Sequence, residues 1–161
     1  MLVVKRLEQR RNMRLQIAVV GGSQPSQDAA NEAEAVGAAI AEAGATLVCG
    51  GLFGIMEAAA KGARKKGGHT LGILPGNSRR DANPYIDCAV ATGLGNFRNY
   101  LVVATADAVV AMPGRYGTLS EIAMALTLGK RVVGLGSWEI EGVLEAANPE
   151  EAVRIALGHK Y

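Results

Sequence analysis

Aromatic residues make up only 4% of this 161-residue chain, and cysteine and histidine occur twice each. So few aromatics disfavour a stacking platform for single-stranded nucleic acid. Cys49 and Cys88 lie far apart, and His69 and His159 are isolated, so neither zinc-ligand spacing nor a disulfide framework is present and no metal site is expected. Cys49 sits in an apolar run and reads as a buried small hydrophobe rather than a nucleophile. No apolar stretch approaches the ~20 residues of a membrane span, and the start lacks the apolar middle of a signal peptide. A cytoplasmic protein is expected.

A broad basic face is also lacking. Lys5, Arg6, Arg10, Arg11 and Arg14 face only Glu8 in the first fourteen residues, so the net charge of +2 leaves the rest of the chain slightly acidic. That balance argues against binding along a phosphate backbone. Residues 1–13 are expected to form a basic, frayed extension open to an acidic partner, and Met13 is an alternative start. Residues 14–161 are expected to form one domain.

What is abundant is glycine, 21 residues, in a chain that is 49% hydrophobic. Short β-branched runs alternate with longer helical ones. Strands are expected at 16–20, 46–49, 69–74, 86–91, 108–112 and 131–135. Helices are expected at 26–43, 55–66, from Asn96 as cap to 106, at 118–128, and from the Asn148-Pro149-Glu150-Glu151 start. Gly44 and Gly129 suit helix stops. The closing Arg64, Lys65 and Lys66 complement a helix dipole. Residues 77–84 are turn formers without apolar period. Six strands alternating with helices, several continuously apolar, imply an α/β fold: a Rossmann-like, doubly wound parallel sheet with helices on both faces. Ligands of such sheets sit at the carboxyl ends of the strands.

The glycines cluster there. Gly21-Gly22-Ser23 lacks the G-x-G-x-x-G pattern, and Gly50-Gly51 stands where a dinucleotide site would offer an acid, so NAD is not expected. No G-x-x-x-x-G-K-[ST] occurs either. Loops at Gly51–Gly54 and Pro113–Thr118 open onto helix starts and can present N–H groups to an anion, or simply make tight turns. Arg98 lies in the first turn of its expected helix, where the dipole disfavours a cation. A bound anion, or exposure with an acidic neighbour, would account for it, and Asn99 stands beside it. Thr118-Leu119-Ser120-Glu121 reads as a capping box. Glu121 could instead hold a ribose hydroxyl or orient a water.

Three ordered segments, Cys49-Gly50-Gly51-Leu52-Phe53-Gly54-Ile55-Met56-Glu57, Thr92-Gly93-Leu94-Gly95-Asn96-Phe97-Arg98-Asn99 and Pro113-Gly114-Arg115-Tyr116-Gly117-Thr118-Leu119-Ser120-Glu121, resemble the Lonely Guy superfamily. The last is its PGGxGTxxE motif with Arg115 in place of the second glycine, which adds a cation and removes a conformationally free residue. The resemblance spans about residues 14–136. It implies a ligand site that also takes in Met56, Thr92, Gly93, Gly114 and Gly117. Some members cleave the N-glycosidic bond of nucleoside 5′-monophosphates with an Arg and a Glu that map onto Arg98 and Glu121. The short chain and the Arg98-Asn99 segment look closer to a sister group that includes molybdenum cofactor carrier proteins. The resemblance therefore implies binding of a phosphorylated nucleotide-like or pterin-like molecule, with the molybdenum cofactor as one such ligand and no cofactor required. Phosphoribohydrolysis and a structural or regulatory oligomer are the alternatives. The lysine decarboxylase label attached to many members does not suit a chain this short without a recognisable Schiff-base site. Superfamily members imply a homodimer or higher oligomer, with Leu101, Val102 and Ile122 expected at the contact.

Overall fold

A computed structural model describes residues 13–158. The basic extension before Met13 and His159 lie outside the described residues. The chain runs β1 (Gln16–Val20), α1 (Gln27–Glu42), β2 (Thr46–Cys49), α2 (Ile55–Lys65), β3 (His69–Leu74), β4 (Cys88–Ala91), α3 (Arg98–Thr105), β5 (Ala108–Ala111), α4 (Tyr116–Thr127), β6 (Arg131–Gly134), β7 (Val143–Glu145) and α5 (Pro149–Ala156). The seven strands form one parallel sheet in the order β4-β3-β2-β1-β5-β6-β7. After β1 the chain moves outward to β4, then returns to place β5 on the other side of β1. The β1–β5 boundary is therefore the topological switch point, where a cleft opens beyond the strand ends.

Each central strand is apolar on both faces because each face is covered. Ile17, Val19, Leu47 and Val110 pack with α1, α2 and α5 residues such as Val36, Ile40, Ile55 and Val153. Ala18, Val20, Val48 and Val109 pack with Val102, Val103, Ile122 and Ala125 of α3 and α4. Successive side chains alternate between two cores, so the strands read as unbroken hydrophobic runs. Helices α1 and α2 touch almost backbone to backbone: a Cβ added at Gly37 would lie 1.8 Å from the Ala59 carbonyl oxygen, and one at Gly62 1.8 Å from that of Glu34.

Local signals hold at several ends. Ser26 caps α1 by accepting from Ala29 N at 3.2 Å, and Asn148 caps α5 by accepting from Glu151 N at 2.9 Å. The basic end of α2 is paired, Arg64 with Asp87, Lys65 with Glu34 and Lys66 with Glu42. Cys49 is fully buried, and burial pushes its thiol up to about 11, as suits a core residue.

Four expectations need correction. A seventh strand exists: β7 has only three residues with Leu144 and Glu145 exposed, too short to show a period, yet it pairs with β6. Asn96 does not cap α3 but lies inside a 3-10 turn, Gly95–Phe97, that runs straight into the helix. Helix α4 starts at Tyr116, two residues earlier than expected, so Thr118 and Glu121 lie within it and no capping box forms. Val102 and Ile122 are wholly buried in this chain's own core and cannot form a contact with another copy, while Leu101 is half-buried. Among the described residues no helix is long and apolar enough to cross a membrane.

Candidate functional site

Three loops meet at the switch point through their backbones. Gly22 N donates to Pro113 O at 2.9 Å, tying the loop after β1 to the loop after β5, and Ile55 N donates to Gly22 O at 3.0 Å, tying in the start of α2. The approach demands glycine at Gly54, which has φ +76° and where a Cβ would lie 2.5 Å from the Gly22 oxygen. It demands glycine again at Gly114, where a Cβ would fall 2.0 Å from Thr118 Oγ1.

Together these loops and the first turns of α3 and α4 enclose a cleft of about 860 Å³. Of the residues expected at a site, Gly21, Gly22, Ser23, Met56, Arg98, Asn99, Pro113, Gly114, Arg115, Gly117, Thr118 and Glu121 line it. Five others do not. Gly50 lies behind Arg98, whose Nη2 donates to its carbonyl at 3.2 Å. Gly51 is a buried turn residue with φ +76°, and Gly54 sits behind the first loop. Thr92 and Gly93 close the β3–β4 edge instead, with Thr92 Oγ1 donating to Leu74 O at 2.7 Å and Gly93 N to Gly76 O at 2.9 Å. Sequence reasoning missed Gln24, Pro25, Ser26 and Ala29 on the cleft wall. Their position between Gly-Gly-Ser and the start of α1 was the available signal.

The first turn of α4 lines the cleft without a side-chain cap, since Arg115 at the N-cap position makes no capping bond. A helix start in this state offers backbone N–H groups and the positive end of the dipole. Arg115 has φ −105°, an ordinary value for a side-chain-bearing residue, so the replacement of the motif glycine causes no backbone strain.

At the inner end stand two charged groups taken almost wholly out of water, Arg98 at 7% exposure and Glu121 at 8%. The Arg98 guanidinium is clamped by Gly50 O and by Asn99 Oδ1, yet its Nε has no hydrogen-bond partner among the described residues. The exposed arginine considered above is therefore not what forms. Glu121 has no hydrogen-bond or ion-pair partner among the described residues, and burial pushes its carboxyl up to about 7 against the opposing pull of Arg98. Leaving two such groups incompletely paired is costly in a protein interior. A ligand carrying both an anion and hydrogen-bonding groups would satisfy them. A second hollow of about 470 Å³ under the β6–β7 loop is lined by Trp138, Glu139, Glu141 and Glu145 but contains no buried, unpartnered polar group among the described residues.

The sequence profile of the SLOG cluster4 family matches residues 14–158. An uncharacterised protein of Archaeoglobus fulgidus is 43% identical over 89% of this chain and 95% of its own length. A probable cytokinin riboside 5′-monophosphate phosphoribohydrolase of Oryza sativa is 31% identical over 69% of this chain, which spans only 47% of that protein. Among solved structures, the molybdenum cofactor binding protein of Rippkaea orientalis superposes with a TM-score of 0.86 at 34% identity, covering 91% of this chain and 98% of that one.

Proposed function

Because this chain belongs to the SLOG cluster4 family, we propose that it binds a phosphorylated nucleotide-like or pterin-like small molecule in the cleft at the β1–β5 switch point. The observation that carries this reading is the pairing of an uncapped helix start with the buried, incompletely satisfied Arg98 and Glu121 in one cleft. The phosphate would sit at the first turn of α4, held by backbone N–H groups with Arg115 alongside. Arg98, Asn99 and Glu121 would take the polar groups at the inner end. The molybdenum cofactor, named in the description of the Rippkaea orientalis protein, fits this donor set as cargo through its phosphate and its ring. Among the described residues no three His, Cys, Asp or Glu are grouped to hold a metal ion.

A second reading, phosphoribohydrolysis of nucleoside 5′-monophosphates, is favoured by one specific observation. Glu121 is a buried carboxyl raised to about 7, where it can both accept and return a proton near neutral pH. Water would add across the N-glycosidic bond, its oxygen bonding C1′ as the C1′–N bond breaks, with Glu121 taking a proton from the water and returning it to the departing nitrogen, giving free base and ribose 5-phosphate. Chromatography of the chain incubated with a panel of nucleoside monophosphates, including N6-substituted AMP, separates the two. Retention without released base supports the binding reading. Release that disappears in Glu121→Gln supports the second.

A further inference from the structure

Glu121, at 8% exposure, has no hydrogen-bond or ion-pair partner for either carboxylate oxygen among the described residues. A carboxylate only accepts, and two free oxygens in a water-poor site call for two parallel N–H donors. Asn99, which lines the same cleft as Arg98, spends its Oδ1 on that arginine, which leaves its Nδ2 without a partner among the described residues. The Asn99 amide N–H groups and the Arg98 guanidinium are donors only, so they call for an acceptor such as a ring carbonyl. The inner end thus presents donors next to a pair of acceptors. Glu121 stands five residues after Tyr116, the first residue of α4, about 7.5 Å along the axis from it at 1.5 Å per residue. That offset leaves room for a linking sugar or ring between phosphate and edge.

Resting on the ligand reading above, we infer that Glu121, Arg98 and Asn99 read the ring of the ligand and select the 2-amino-4-oxopyrimidine edge that guanine and pterins share. Glu121 accepts from the ring N–H and the exocyclic amino group, and Arg98 with Asn99 donates to the neighbouring carbonyl. An adenine edge offers a single donor group beside a ring nitrogen acceptor, and leaves one Glu121 oxygen unpaired. A hypoxanthine edge supplies the carbonyl and one N–H but no amino group.

Equilibrium dialysis of the full chain at pH 8 against GMP, IMP and AMP tests this without any variant. GMP is expected to be retained about 10- to 100-fold more tightly than AMP or IMP, the cost of one missing charge-assisted hydrogen bond in a buried site. In Glu121→Gln that remains folded by thermal melting, this preference should collapse. Equal retention of AMP and GMP overturns the ring assignment while leaving the phosphorylated-ligand reading intact. A folded Glu121→Gln that keeps the preference overturns it as well. Retention of none of the three overturns both.

Discussion

At the scale of single residues, Glu121 ties stability to the proposed function. Its carboxyl is raised from 4.5 to about 7 in the folded chain, so between these values the folded state binds more protons than the unfolded one. Stability from this group is therefore greatest below pH 4.5, falls as pH rises towards 7, and stays low above it. The shift corresponds to roughly 3 kcal/mol at alkaline pH. Glu121→Gln removes the charge while keeping the shape. It should melt at higher temperature than the parent at pH 8, with the advantage vanishing near pH 4, as thermal melts across that range would read. Equal melting at both pH values would contradict this burial. Arg98 shows why such residues are only partly legible in sequence. Its unfavourable position at a helix start is local and visible, but its burial depends on Gly50 O, 48 residues away.

At the scale of elements, helix starts divide by what caps them. Ser26 and Asn148 cap α1 and α5 with their own side chains, whereas α4 begins at Arg115 with none. Replacing Arg115 by Asp would supply both a cap and a negative charge at that start. The helix should gain about 0.5–2 kcal/mol from the cap, while an anion at the same turn should bind less well. A higher melting temperature with weaker GMP retention is the expected pair of results from melting and dialysis. Gly37 governs another element contact. A Cβ there would meet the Ala59 carbonyl oxygen at 1.8 Å, so Gly37→Ala should push α1 from α2 and cost about 1–3 kcal/mol in denaturant unfolding. Ser26 was expected inside α1 and instead caps it, whereas the cap at Asn148 was legible because a cap is written in adjacent residues. The start of α4 was not: Thr118-Leu119-Ser120-Glu121 satisfies the local rule for a capping box, but the chain already turns into helix at Tyr116. Gly114 packs against Thr118 there, within the first turn. Strand β7 was missed because three residues carry no period and their pairing with β6 is a tertiary fact.

At the scale of the whole molecule, the alternation of apolar runs with helical ones dictates a parallel sheet buried on both faces. The reversal of strand order at β1 and β5 then dictates where a cleft can form. The glycine loops were readable as a set because all of them follow strands. Which of them face the cleft was not, since Gly50, Thr92 and Gly93 serve the walls and turns behind it. The proposed site stands or falls with a phosphate at the first turn of α4. The most direct measurement is calorimetric titration of the parent chain with GMP and with guanosine, which differ only in that group. Guanosine is expected to bind about 10- to 100-fold more weakly, as follows from losing charge-assisted hydrogen bonds to an anion. Equal affinities for the two would contradict it.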